Sequence, residues 1–224
     1  MCDTKVGRLV IAEFSDPARL ARLGVARFRA FAARRDIRVS VAVAQRLVDA
    51  ARQTLPTAEA VVARDVLAAD VALLADLDAQ ITTADARITA VLPATRYHVL
   101  TTVPGWGPLR AGGYGAAVGD PDRWPAARQI YRAAGLTPSQ YESAGKRRDG
   151  GISREGSVEL RRALLDLGVG LWHSEPAARA YATRLRQRGK PGGIIATAMA
   201  RTTGRLAYAM VRDHTTYDPT QRRS

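Results

Sequence analysis

The chain has 224 residues, a formal net charge of +13 and one cysteine, Cys2. That length accommodates one or two domains with a real hydrophobic core, and a lone cysteine excludes an internal disulfide or a cysteine-based metal cage. With no apolar run long enough to cross a bilayer and no signal-peptide pattern, the composition excludes a membrane partner and points to a cytoplasmic protein.

Aromatics make up only 6% of the chain, while Ala, Leu, Arg and Val are frequent, so helices are favoured over sheets. In chain order, Arg8-Leu9-Val10-Ile11-Ala12-Glu13-Phe14 reads as a short strand or a tail continuing something upstream. Ser15 or Asp16 before Pro17 then opens a helix with proline at its first position. Its apolar stripe is Leu20, Leu23, Phe28 and Phe31, with arginines elsewhere. A second helix is expected from about Ser40, a capping residue, to Thr54, with Val43, Leu47 and Ala50 on one face and Pro56 ending it.

Residues 58–92 carry the clearest periodicity. Leu67, Leu74, Ile81 and Ile88 recur every seven residues, and Leu77, Ala84 and Val91 take the paired position three further on. Asp70 breaks this a/d seam, and Pro93 ends the segment. Such a helix packs either against its own chain or against another subunit, giving a homo-oligomer. Short helices broken by glycines and prolines follow to about Val211, and the polar end from Thr215 is expected to fray. The expected fold class is all-α: a long coiled-coil-like helix followed by a compact multi-helix domain with a helix-hairpin-helix motif. The expected domains are an N-terminal helical region over 1–57, the long helix over 58–95, a C-terminal domain over 96–214 and a disordered tail over 215–224.

The positive charge is concentrated late. Residues 101–224 hold 20 Lys/Arg against 10 Asp/Glu, whereas residues 1–100 hold 14 against 11. Nucleic acid is the natural partner of such a surface, the plain alternative being an arginine-rich surface without a specific ligand.

Two motifs carry the chemistry. In Val103-Pro104-Gly105-Trp106-Gly107-Pro108, Gly105 and Gly107 let a hairpin backbone approach a phosphate, and Pro108 starts a helix whose free N–H groups face it. An ordinary Pro-Gly turn between packed helices is the competing reading, and Gly112, Gly113 and Gly115 inside the second helix tell against the motif. The second motif runs from Gly135 to Ser157 and sets Ser143 before a flexible stretch crowded with cations. A serine hydroxyl attacks only when its proton has somewhere to go and positive charge surrounds the phosphate it attacks. Lys146, Arg147, Arg148, Arg154, Arg161 and Arg162 are the candidates for that charge. On residues alone, a serine in such a loop is usually a turn residue over a solvated patch.

The order V-P-G-W-G, then D-R-W, then G-L-T-P-S-Q-Y-E-S-A-G-K-R-R-D-G-G-I-S-R-E-G-S-V-E-L-R-R-A-L resembles the C-terminal transposase domain of insertion sequence family one-ten. That family includes Piv-type DNA invertases and bridge-RNA-guided recombinases. The resemblance extends back through S-D-P-A-R-L-A-R-L-G and the long helix. It implies a two-part enzyme: a RuvC-like domain whose four acidic residues hold Mg2+, and a C-terminal serine that becomes linked to DNA. The family serine matches Ser143, here followed by Ala144 where the family has glycine, and Ser153 is the runner-up. Asp3 and Glu13 do not make a metal site, so no metal or cofactor is expected in this chain. The chain is expected to be truncated at its N-terminal side and inactive alone. DNA, and a structured guide RNA, are the implied partners. The alternative reading is a non-catalytic nucleic-acid-binding and dimerisation remnant; a third is a helical structural protein.

His98, His173 and His214 share no metal-ligand spacing. Trp106, Trp124 and Trp172 are expected in packing more than in base stacking.

Overall fold

Helix formation starts before the first proline. In the computed structural model, which describes residues 4–54, 60–143, 146–153 and 155–221, the Thr4 hydroxyl accepts from the Gly7 N–H at 3.0 Å and opens α1 (Lys5–Glu13). The stretch expected as a short strand or a tail is therefore a helix. Its Leu9, Val10 and Phe14 are buried, and the Phe14 ring meets Phe28 and Phe31 edge to face at 5.7 and 5.2 Å. A short apolar run does not distinguish strand from helix; the cap and this packing decide it.

α2 (Pro17–Ala33) begins as expected, with the Asp16 carboxylate accepting from the Ala18 N–H and Pro17 in the first turn. Gly24, at φ +72°, bends it. α3 (Val41–Gln53) is capped by Ser40, which accepts from the Val43 N–H. Its buried stripe is Ala44 and Val48, flanked by half-buried Val43, Leu47 and Ala51, while Ala50 is exposed. Pro56 lies outside the described residues.

α4 (Ala60–Val91) is a single 32-residue helix. Most of its seam stays in solvent: Leu74, Leu77, Ile81, Ile88 and Val91 are 38–63% exposed, while Leu67 is half-buried. The chain divides into two compact units, Met1–Thr83 and Ala84–Ser224, so α4 crosses the border. The first unit has its own core, built from α1, α2 and α3 around Leu20, Phe28 and Val48.

The second unit comprises α5 (Pro108–Val118), α6 (Ala127–Ala133), β1 (Pro138–Ser143), β2 (Lys146–Ile152), α7 (Val158–Ser174), α8 (Pro176–Gln187) and α9 (Gly192–Asp213). The fold is all-α, with one two-stranded antiparallel ribbon among the described residues. α7 and α9 form the centre, where Leu164, Leu167, Leu171, Ile195 and Met199 are fully buried. Glycines set their spacing: a Cβ at Gly168 would lie 3.0 Å from the Ala200 nitrogen, and one at Gly204 would lie 2.8 Å from Leu164. Thr203, buried in this seam, donates its hydroxyl to the Met199 carbonyl at 3.0 Å. Beyond α9, in the segment expected to fray, the Tyr217 N–H donates to Thr102 Oγ1 at 2.9 Å and its ring packs on the core.

Candidate nucleic-acid interface

The described residues on either side of Ala144 and Gly145 pair as an antiparallel ribbon. β1 and β2 pair antiparallel, with Gln140 opposite Asp149, Tyr141 opposite Arg148, Glu142 opposite Arg147, and Ser143 opposite Lys146. Ser143 thus occupies the last described pair, directly across from a lysine. Ala144 and Arg154 lie outside the described residues.

The base of the hairpin is fixed by its flanks. α6 ends in a Schellman turn, in which the Leu136 N–H donates to the Tyr131 carbonyl and the Gly135 N–H to the Arg132 carbonyl, with Gly135 at φ +66°. The Ser153 N–H then donates to the Thr137 carbonyl, and the Ser157 N–H to the Ala133 carbonyl, each at 2.9 Å. Gly156, at φ +121°, passes so near α6 that a Cβ would sit 2.1 Å from the Ala133 oxygen. Ser157 caps α7 by accepting from the Leu160 N–H and donates its hydroxyl to Glu159, 3.2 Å away. Glu159's own backbone N–H, and then Ser157, hold its carboxylate below the usual range.

Arg161 is half-buried and uses Nη1 to donate to the Ala134 carbonyl at 3.0 Å, tying α7 to the end of α6. Arg162 is exposed one residue further on. The predicted cations therefore divide into Lys146, Arg147 and Arg148 on β2, and Arg161 and Arg162 in the first turns of α7.

The glycine turn has a different geometry from the one its sequence suggests. Its first arm, Arg96–Thr102, is a 3₁₀ helix, and α5 is its second. Gly105 adopts φ +81° and lies against α7, where a Cβ would be 2.3 Å from the Gly170 oxygen; its carbonyl accepts from Arg110 at 3.0 Å. Arg110 also pairs with Asp166 at 3.1 Å, a further tie from α5 to α7. Gly107 is exposed, meets open space at its Cβ position, and precedes α5 without a side-chain cap. The glycines inside α5 have packing reasons: Gly112 leaves room for Ile88, and Gly115 for the Tyr97 ring. An apolar cavity of about 520 Å³ opens beside them, lined by Val91, Leu92 and Tyr97 among others, with no carboxylate, cysteine or histidine in its wall.

Trp106 is buried, with its indole N–H donating to the Leu167 carbonyl at 2.8 Å. Trp124 is half-buried and donates to the Val118 carbonyl, so both serve packing. Half-buried Trp172 lies parallel to the His173 ring at 6.1 Å. No three His, Cys, Asp or Glu residues converge to hold a metal among the described residues. No described helix is long and apolar enough to cross a membrane. The cations of α8, absent from the two motifs, carry one signal in the sequence: no Asp or Glu occurs between Glu175 and Asp213.

Comparison with known proteins finds that the chain is similar to transposases. More narrowly, residues 97–183 match the model described as "Transposase IS116/IS110/IS902 family". The chain is 30% identical over 159 residues to a probable family 20 transposase of Pseudomonas aeruginosa, covering 66% of this chain and 47% of that protein. An uncharacterized 42 kDa protein of insertion element IS900 from Mycobacterium paratuberculosis is 27% identical over 230 residues, covering 96% of this chain and 55% of its own length. The pilin gene-inverting protein of Moraxella bovis is 29% identical over 125 residues, covering 55% and 39%. The chain thus spans roughly half the length, or less, of these relatives.

Proposed function

We propose that this chain carries the DNA-binding surface and the serine nucleophile of an insertion-sequence transposase. The observation that carries the reading is the pairing of Ser143 with Lys146 where the second strand continues into Arg147 and Arg148. In this reading the Ser143 oxygen attacks a DNA phosphorus, forming a serine–phosphate ester as one sugar–oxygen bond to phosphorus breaks. The hydroxyl proton leaves to a base, and the departing sugar oxygen takes one up. Because one ester replaces another, the step can be reversed onto a second strand end, which joins DNA as well as cutting it.

Lys146, Arg147, Arg148, Arg154 and Arg162 neutralise the phosphates around that centre. Arg161 holds α7 in place through Ala134. The uncapped start of α5 after Gly107 offers backbone N–H groups to a phosphate, with Gly105 fixing the turn on α7. The family resemblance adds a structured guide RNA as partner and a RuvC-like domain as the holder of Mg2+. The described residues of this chain supply no cluster that fits such an ion, so no step here runs through it.

A second reading, a non-catalytic nucleic-acid-binding and dimerisation module, draws on the exposed seam of α4. A phosphorothiolate suicide duplex separates the two, with the RuvC-like domain of a relative supplied in trans. A covalent protein–DNA adduct that is lost in Ser143→Ala and kept in Ser153→Ala is the expected result. No adduct under these conditions overturns the catalytic reading.

A further inference from the structure

Between Glu175 and Asp213 the chain has eight Lys/Arg and no acidic residue. Three of the eight lie on α9: Arg201 over the Tyr131 ring, Arg205, which donates to the Arg201 carbonyl, and Arg212, which pairs with Asp213. The other five, Arg179, Arg184, Arg186, Arg188 and Lys190, sit on α8 and the turn after it. All five are exposed, and no ion pair with a described residue compensates them.

The packing of α8 fixes which side faces out. Ala178 and Ala182 are buried, and Tyr181 and Leu185 are half-buried. At about 3.6 residues per turn the opposite face then presents Ala180, Thr183 and Gln187, and all three are exposed. Arg179 and Arg186, two turns apart, share one flank of that face, and Arg184 and Arg188 share the other. Aromatic rings support both flanks, with Arg186 over Trp172 at 5.9 Å and Arg184 over Tyr181 at 5.8 Å.

A helix with positive charge along both flanks and a low, uncharged ridge between them fits a groove whose two walls are negative. The major groove of B-form DNA is about 12 Å wide, and a helix with its side chains is about 10–12 Å across. The major groove of A-form RNA is too narrow and deep for side chains to read, so the fit selects DNA. We propose that α8 is a groove-binding helix for duplex DNA. Its two arginine pairs lie on the two phosphate backbones, and Thr183 and Gln187 face the base edges. The amide of Gln187 matches the paired donor and acceptor of adenine. This inference rests on the reading of the chain as a DNA-binding protein and adds a contact surface to the β1–β2 hairpin.

The test is fluorescence anisotropy of the full chain with a labelled duplex DNA of arbitrary sequence, titrated with salt. The variants are R179A/R186A, R184A/R188A and Thr183→Trp, with K146A/R148A reporting on the hairpin and circular dichroism melts reporting on folding. Each α8 double variant is expected to lower the slope of log affinity against log salt by about 2, with roughly tenfold weaker binding at moderate salt. Thr183→Trp keeps every charge and fills the outward ridge, so it is expected to weaken duplex binding about tenfold as well. If the wild-type chain binds while all three α8 variants match it in affinity and slope, the α8 proposal is overturned and the DNA-binding reading stands. Full binding by Thr183→Trp alone overturns seating in the groove. A wild-type chain without salt-dependent binding overturns both readings.

Discussion

Gly105 and Gly107 stand two residues apart and answer to different constraints. Gly105 has a left-handed backbone and touches α7, so Gly105→Ala meets both conformational strain and the Gly170 carbonyl. It is expected to cost about 3 kcal/mol or more in urea unfolding. At Gly107 a methyl group enters open space, and Gly107→Ala is expected to change stability by less than about 1 kcal/mol. A Gly105→Ala chain as stable as wild type contradicts this assignment.

Two buried phenols make a second contrast. Tyr97 donates to the Gly119 carbonyl at 2.7 Å, whereas the Tyr114 hydroxyl, at the other ring of an edge-to-face pair, has no hydrogen-bond partner among the described residues. Tyr114→Phe is therefore expected to be neutral or stabilising at neutral pH, and Tyr97→Phe destabilising by about 1 kcal/mol. Burial foremost, and then Asp120, pushes the Tyr97 phenol up to about 12, and burial raises Tyr114 as well. A raised phenol favours the folded state fully below its unfolded value of about 10. That stability is lost as pH rises through about 12. Unfolding midpoints measured between neutral pH and pH 12 are expected to fall less steeply in Tyr97→Phe.

At the scale of elements, what was legible in the sequence was what is local. Asp16-Pro17 and Ser40 marked helix starts because a cap acts within one turn of itself. The heptad spacing marked α4 as one long helix because periodicity is also local. α1 was misread because its identity depends on Phe14 meeting Phe28 and Phe31, which are remote in sequence. The hairpin was misread because Lys, Gly and Asp are poor strand formers; pairing across β1 and β2 and the anchors at Ala133 and Thr137 override composition. Gly112 and Gly115, which by local propensity tell against a helix, make room in α5 for Ile88 and Tyr97, partners remote in sequence. Of the candidate site, the pairing of Ser143 with Lys146 was not legible, since register depends on turn length and on both flanks.

The exposed seam of α4 gives its own prediction. If it joins copies of this chain, Ile81→Lys, placing a charge at a position 58% exposed, leaves the helical content unchanged and abolishes self-association. Sedimentation equilibrium reads the mass directly. An unchanged mass, or a monomeric wild type, contradicts oligomerisation through α4.

For the whole molecule, the charge of +13 is unevenly shared, with the excess after residue 100. The acid-free run over residues 176–212, the basic second strand and most of the transposase match over 97–183 lie in that same part of the chain. A positive field of this kind concentrates a polyanion around the unit before any specific contact forms. Chemistry at one phosphate then depends on which side chain is delivered to it, and on this account that is Ser143.

Identifying the residue that carries the DNA is the most direct test. The suicide-substrate adduct is digested with nuclease and then trypsin, and the nucleotide-bearing peptide is sequenced by mass spectrometry. Cleavage after Arg132, Lys146, Arg148 and Arg154 places Ser143 in the peptide beginning at Ala133 and Ser153 in the one beginning at Asp149. The nucleotide is predicted on the Ala133 peptide, with fragmentation assigning it to Ser143 and not to Ser139. Attachment at Ser153, or at any other residue, contradicts the account.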